Sequence, residues 1–521
     1  MKIAVWLIVG LGSLLSVYSR AEQLNAKYLQ ILHTNDLHSY WEHSSKKTLG
    51  GLARIKFLLD QMEKEGDKKG WTTIRIDAGD FSEGNINFHA DNGDTSFRIM
   101  KAMKYDAIAL GNHDYITGIA DLRDRLKKSD QSIPVIAANF VVPADWSLPP
   151  GLVLNRGGMK IAIGAVTTDE PYFKWFAKPA IITSPVKALR KFIEVHKDAD
   201  IRIALTHIGW ERDYYLPESI PQLDVVVGGH THTLLRKPLK VMGISGRKIP
   251  VFQTGAHGAH IGRALFQLTP GKPGSAKLID YKMVEVPRSA PEDPVVRELI
   301  NKGLVSLQNK FNHRLETVIT HVARDYYTHK VKAPVVGNIL ADAMREAAGT
   351  QIAFDSGKLY ADLLEKGYLT FHDVLDISPH LYSWSSPGWK VYRCEETGHQ
   401  IRKMLIALGA LSKSIFVSGM EFDLHLKVFV SNMKINGQPL DDNKIYSVAV
   451  SEGLLRGTDA FPRMKSVTCS RPIETQILMR DAIFRKLSNV SLIDNDILGP
   501  IRIHGPKNDL PKLNLIPDTS L

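Results

Sequence analysis

Six times between residues 28 and 270, an apolar, β-rich stretch stops at residues able to bind a metal. The six stops are Asp36-Leu37-His38, Gly79-Asp80, Gly111-Asn112-His113-Asp114, Thr206-His207, Gly229-His230-Thr231-His232 and Gln253-Thr254-Gly255. Strands are predicted at 28–33, 72–76, 107–110, 161–166, 201–205, 223–227 and 250–252. Helical spacing of Leu52, Ile55, Leu58, Leu59 and Met62 predicts a helix over 50–64, with others at 97–103 and 121–128. Strands alternating with helices imply sheets covered by helices. Polar loops at the ends of buried strands are where such a scaffold displays reactive groups.

The pattern changes after residue 270. Gly271, Pro273, Gly274, Pro287, Pro291 and Pro294 mark a linker, and 295–315 has the periodicity of a long connecting helix. A second domain is expected over 331–510, with a helix at 334–347, a strand near 351–354, a helix around 397–408 and β-rich segments at 415–450. The fold class is therefore α/β and α+β. It comprises an N-terminal β-sandwich flanked by helices over 28–270, a linker and connecting helix over 271–330, and a smaller α/β C-terminal domain. A chain of 521 residues is too long for one core and agrees with this division.

Lys2, the apolar run at 3–15 and the small or polar residues to Ala21 read as a cleaved secretory signal, so the protein is expected to be periplasmic or secreted. The run is shorter than the ~20 residues of a membrane-spanning helix, and no stable membrane anchor is expected. Cys394 and Cys469 lie 75 residues apart, and their pairing stays open. The net charge of +11 favours anionic partners. Its basic residues are scattered and carry no nucleic-acid motif, so no nucleic-acid partner is expected. A monomer is expected.

The six loops together make a metal-binding set. Asp36 and His38, two apart beyond a strand, face one way if the backbone stays extended. Asp80 offers a carboxylate able to bridge two cations, Asn112 an amide oxygen, and His207, His230 and His232 imidazoles. Taken singly, Asp36 also reads as a turn cap and His207 as a core histidine; their joint occurrence in order points to metal. Nitrogen and oxygen donors without thiolate suit two divalent ions of Zn, Mn or Fe and disfavour Ca.

The segments Ile31-Leu32-His33-Thr34-Asn35-Asp36-Leu37-His38, Asp77-Ala78-Gly79-Asp80, Gly111-Asn112-His113-Asp114, Leu205-Thr206-His207 and Gly228-Gly229-His230-Thr231-His232 resemble the calcineurin-like metallophosphoesterases. With Val336-Gly337-Asn338-Ile339-Leu340-Ala341-Asp342-Ala343, the chain resembles more narrowly the 5'-nucleotidase family of exported bacterial type. The resemblance implies one metal held by Asp36, His38, Asp80 and His232. The second would be held by Asp80, Asn112, His207 and His230. His113 would be the catalytic residue that is not a ligand. It implies an exported phosphohydrolase acting on a nucleotide or other small phosphomonoester through a hydroxide held between the metals.

The chain also departs from that family. Where relatives carry an Asp three residues after the catalytic His, this chain has Ile116. In the second domain the phosphate- or base-binding segment reads Asp355-Ser356-Gly357-Lys358-Leu359-Tyr360, and a later loop reads Gly457-Thr458-Asp459-Ala460-Phe461. Lys358, Tyr360, Asp459 and Phe461 become the candidate substrate contacts. Gly453 stands where relatives place a stacking aromatic. Two other readings remain at this stage: a thiosulfate-ester hydrolase of the same superfamily, and a secreted binding protein without catalysis.

Overall fold

The computed structural model of the protein describes residues 26–43, 48–128, 133–327, 335–356, 363–377, 388–411, 415–425, 429–459, 469–494 and 502–504. The predicted signal lies outside them. Two compact units divide the chain between Lys310 and Phe311. Among the described residues no helix is long and apolar enough to cross a membrane.

The first unit is a sandwich of two six-stranded sheets. In chain order its strands are β1 (Lys27–Thr34), β2 (Thr72–Asp77), β3 (Ala107–Ala109), β4 (Val135–Ile136), β5 (Gly151–Arg156), β6 (Met159–Thr167), β7 (Ile201–His207), β8 (Val225–Gly228), β9 (Leu239–Met242), β10 (Lys248–Phe252), β11 (His260–Leu268) and β12 (Lys277–Glu285). One sheet has the order β12-β11-β1-β2-β3-β4, the other β9-β10-β8-β7-β6-β5. The central strands of each run parallel: β1 to β2, β2 to β3, β6 to β7, β7 to β8 and β8 to β10. Their carboxyl ends, and hence the loops that follow, therefore lie together. Between the sheets, Leu29, Ile31, Ile74 and Ile76 meet Ile161, Ile203, Leu205 and Val227 in one buried cluster.

The outer face of the first sheet is covered by a helix at Leu52–Lys68, which buries Leu52, Ile55, Leu59 and Met62. Gln30 on β1 donates to the Met62 carbonyl at 2.9 Å. The helix runs four residues beyond the predicted end at 64. Its last turns carry polar residues on the solvent side, where apolar spacing gives no signal. Inside the stretch read as linker, β12 pairs with β11 as an edge strand. None of its nine residues is buried, so it lacks the apolar alternation that betrays a strand. The helix Pro294–Lys310 buries Val296, Ile300, Gly303 and Leu307 and stops five residues before the predicted 315. Ser306 and Lys310 donate to the carbonyls of Ala90 and His89 at 2.8 and 2.7 Å.

The second unit is the smaller α/β domain expected. Its main sheet orders Ile415–Ser418, Ile352–Ser356, Ile445–Ser451, Lys390–Thr397 and Ile473–Leu478. Alternation along these strands gives two cores. Ala353, Val391, Phe416 and Ala449 pack with Leu340, Met344 and Ile483 of two helices, Val335–Ala348 and Met479–Ser488. Phe354, Tyr392, Val417 and Val448 pack with Ile401 and Leu405 of the helix Gly398–Leu411. Cys394 and Cys469 form a disulfide, which settles the pairing that spacing left open.

Candidate metal centre

Every candidate site residue of the first unit lies at or just beyond the carboxyl end of a central strand. Asp36 and His38 follow β1, Asp80 follows β2, Asn112 and His113 follow β3, His207 ends β7, and His230 and His232 follow β8. The structure brings them together as three groups: Asp36, His38 and His232; His38, Asp80 and His113; Asp80, His207 and His230. In each group the ligand atoms lie within 4.8 Å of one another. Asn112 joins through its Oδ1, 2.9 Å from His230 Nδ1.

The convergence of Asp36 and His38 has a different cause from the one the sequence implied. The backbone is not extended there. Asp36, His38, Asp80, His230 and His232 all have φ between 49° and 82°, the left-handed region that side chains with a Cβ rarely adopt. Such strain persists only where surrounding bonds over-determine it. Here Asp36 N–H donates to the Gly79 carbonyl at 2.9 Å and His38 N–H to the Asp80 carbonyl at 2.8 Å. The loops after β1 and β2 thus continue the strand pairing as tight turns and turn both side chains inward.

Further residues brace these loops. Asn35 donates to Asp36 Oδ2 and to the Gly255 carbonyl, both at 2.6 Å, and accepts from Thr254 N–H at 2.8 Å. Gln253, from the sixth loop, donates to the Gly229 carbonyl at 2.6 Å and accepts from Thr233 N–H at 2.6 Å. It fixes the turn that carries His230 and His232. Glu170 places its carboxylate 3.2 Å from His230 Nε2. Sequence reasoning missed Glu170 because its partner is sixty residues away.

The donor set fits two cations. His38 donates Nδ1–H to the Glu83 carbonyl at 2.6 Å, and His207 donates Nδ1–H to the Ala78 carbonyl at 2.7 Å. Those bonds fix the tautomer and leave each Nε2 to face the centre, as ligating histidines require. His38 Nε2 then lies 3.0 Å from His232 Nε2 and 3.7 Å from Asp80 Oδ2, while His207 Nε2 lies 2.9 Å from Asp80 Oδ2. Asp36 and Asp80 are buried carboxylates, and such groups need compensating positive charge. Burial disfavours charge on His38 and His207, yet Asp36 and Asp80 outweigh it and raise their pKa values to about 9 and about 10. The same negative field attracts metal, which competes with protons for these nitrogens. His113 is half-buried and His232 exposed, so the centre opens to solvent on their side.

A model of the calcineurin-like phosphoesterases matches residues 29–234, and one of the 5'-nucleotidase C-terminal domain matches 317–466. The chain joins a calcineurin-like metallophosphoesterase domain to a C-terminal 5'-nucleotidase-like domain. Its homologues are those of the 5'-nucleotidase family. The 5'-nucleotidase of Mus musculus is 28% identical over 374 residues, 66% of this chain. The match spans 63% of that relative, less than two thirds of its length. Protein UshA of Escherichia coli is 26% identical over 510 residues, covering 85% of this chain and 88% of UshA. In fold, the 5'-nucleotidase precursor of Thermus thermophilus superposes with a TM-score of 0.77 at 23% identity, over 92% of this chain and 99% of that one.

In the 5'-nucleotidase-like domain, Lys358, Tyr360 and Phe461 lie outside the described residues, and Asp459 ends the helix Glu452–Asp459. Gly453 packs beneath Trp389, where a Cβ would come within 2.3 Å of the indole. No stacking side chain fits at 453 unless Trp389 moves.

Proposed function

We propose that this protein is an exported two-metal phosphohydrolase of the 5'-nucleotidase type, acting on a nucleotide or another small phosphomonoester. The observation that carries the reading is the convergence of His38 Nε2 and His207 Nε2, each with Nδ1 tied to a carbonyl, on the buried carboxylates of Asp36 and Asp80. In this reading Asp36, His38, Asp80 and His232 hold one cation, and Asp80, Asn112, His207 and His230 hold the other. Two cations there would make a water nucleophilic near neutral pH and neutralise charge growing on the phosphoryl oxygens. Zn, Mn and Fe all suit the donors.

The chain's own residues do the rest. His113, whose main-chain N–H donates to Asp80 Oδ1 at 2.7 Å, presents its ring at the open side of the centre and supplies a proton to the departing oxygen. Lys358, Tyr360, Asp459 and Phe461 are the proposed contacts to the rest of the substrate. The amino-terminal apolar run is the proposed export signal.

The test loads the protein with Mn or Zn, counts bound metal by elemental analysis and measures phosphate release. The panel holds an aryl phosphate, nucleoside monophosphates, a UDP-sugar, cyclic nucleotides and a thiosulfonate. Two bound metals without turnover of any phosphate ester would overturn the reading. Turnover of the thiosulfonate alone would replace it with the sulfur-ester chemistry.

A further inference from the structure

We propose that Glu83 is the positioning carboxylate of His113, taking the place left by Ile116. The inference rests on the hydrolytic reading above. A general acid works only if its ring is held in one orientation and one tautomer. Three carboxylates neighbour His113: Asp80, which accepts its main-chain N–H and is a proposed metal ligand, Asp114 next in sequence, and Glu83 in space.

Asp114 is committed elsewhere. Its carboxylate accepts the backbone N–H groups of Asp80, Phe81, Ser82 and Gly111 at 2.8–3.1 Å. It is fully buried beneath the loops it joins. Glu83 instead directs Oε2 to His113 Nδ1 in a direct hydrogen bond, with its side chain only 2% exposed. A carboxylate accepting at Nδ1 keeps a proton there and leaves Nε2 as the nitrogen that exchanges one. Glu83 also uses its main chain, because its carbonyl accepts from His38 Nδ1–H at 2.6 Å. One residue therefore orients a proposed metal ligand through its backbone and the proposed acid through its side chain.

The local backbone is built for this double contact. Gly84 has φ of 132°, and a Cβ there would lie 2.4 Å from His38 Nδ1. Only glycine lets the chain pass so close to the imidazole while Glu83 turns towards His113. The rings of His38 and His113 meet edge to face with centroids 4.7 Å apart.

In the step this serves, water oxygen forms the new bond to phosphorus and the bond from phosphorus to the ester oxygen breaks. His113 Nε2–H passes its proton to that oxygen, giving the alcohol. One proton of the water stays on the phosphate oxygen it brings, the other passes to solvent, and His113 is reprotonated from solvent. Glu83 stays a carboxylate throughout.

Glu83→Gln tests this without touching the carbonyl that holds His38. In the two-metal protein we expect kcat to fall roughly 10–100-fold on an alkyl phosphate, whose leaving group needs a proton. On p-nitrophenyl phosphate, whose leaving group does not, the fall should be much smaller. KM and metal content should stay near wild type. Histidine-selective 15N spectra of the metal-free protein supply a readout independent of turnover. The His113 Nδ1–H resonance, assigned by its loss in His113→Ala, should shift or vanish in Glu83→Gln. An equal loss on both esters, a lost metal, or an unmoved resonance would overturn the proposal. A wild type that hydrolyses no phosphate ester would overturn the hydrolytic reading instead, and a Glu83-dependent resonance would then still support the pairing.

Discussion

The Asp114 carboxylate accepts the main-chain N–H of Asp80 at 3.0 Å. With its bonds to Phe81, Ser82 and Gly111, it ties the loop after β2 to the loop after β3. Asp80 is thus aimed by a residue that touches no proposed metal. Asp114→Ala should lower metal affinity and turnover by roughly 10–100-fold, the usual cost of losing a residue that orients a ligand. Metal titration and kcat/KM measure it; wild-type metal affinity would show that the loop holds itself.

Asp80 is the ligand proposed to be shared, with Oδ2 near both His38 and His207. Asp80→Asn should weaken both metals and abolish turnover. Elemental analysis after gel filtration gives the count. Two retained equivalents would rule out sharing.

His113→Ala should keep both metals and lose about 10²–10⁴-fold in rate, the range for a positioned acid. Loss of one metal equivalent would instead make His113 a ligand, as its place beside His38 and Asp80 permits.

The strands and the candidate ligands at their ends were legible because each candidate sits where an apolar run stops, and six such stops in order leave few alternatives. The geometry that unites them was not. Left-handed φ at Asp36, His38 and Asp80 is imposed by bonds between loops that lie far apart in the chain. Glu83 was invisible for the same reason: thirty residues separate it from His113, and the two meet only because β2 pairs with β3 and Asp114 ties the loops that follow them. Ile116 gave the one sequence signal, a missing partner without its replacement. The edge strand Lys277–Glu285 escaped because it buries no residue.

Cys394 and Cys469, both buried, close a loop of 75 residues in the second unit. Replacing both with Ala should destabilise that unit by about 2–4 kcal/mol, through the entropy returned to the unfolded chain. Urea unfolding followed by hydrogen exchange resolves the two units. Unchanged protection of strands Ile445–Ser451 and Lys390–Thr397 would contradict this.

Asp213 gives the pH prediction. It is fully buried; its Oδ1 accepts from Thr206 Oγ1 at 2.7 Å, and its Oδ2 has no hydrogen-bond partner. Burial raises its pKa from 3.8 to about 7, with the Thr206 bond opposing. Between those values the folded protein holds a proton that the unfolded chain has released. The contribution of Asp213 to stability is therefore greatest below about pH 4, falls as pH rises, and levels off above about 7. Asp213→Asn mimics the protonated acid, keeping an acceptor for Thr206 and adding no charge. Its stability relative to wild type should improve by on the order of 1 kcal/mol per pH unit across that window. Urea unfolding of metal-free wild type and variant at pH 5 and 7.5 measures the difference, with all other ionisable groups common to both. A difference independent of pH would show that Asp213 ionises as freely in the fold as in the unfolded chain.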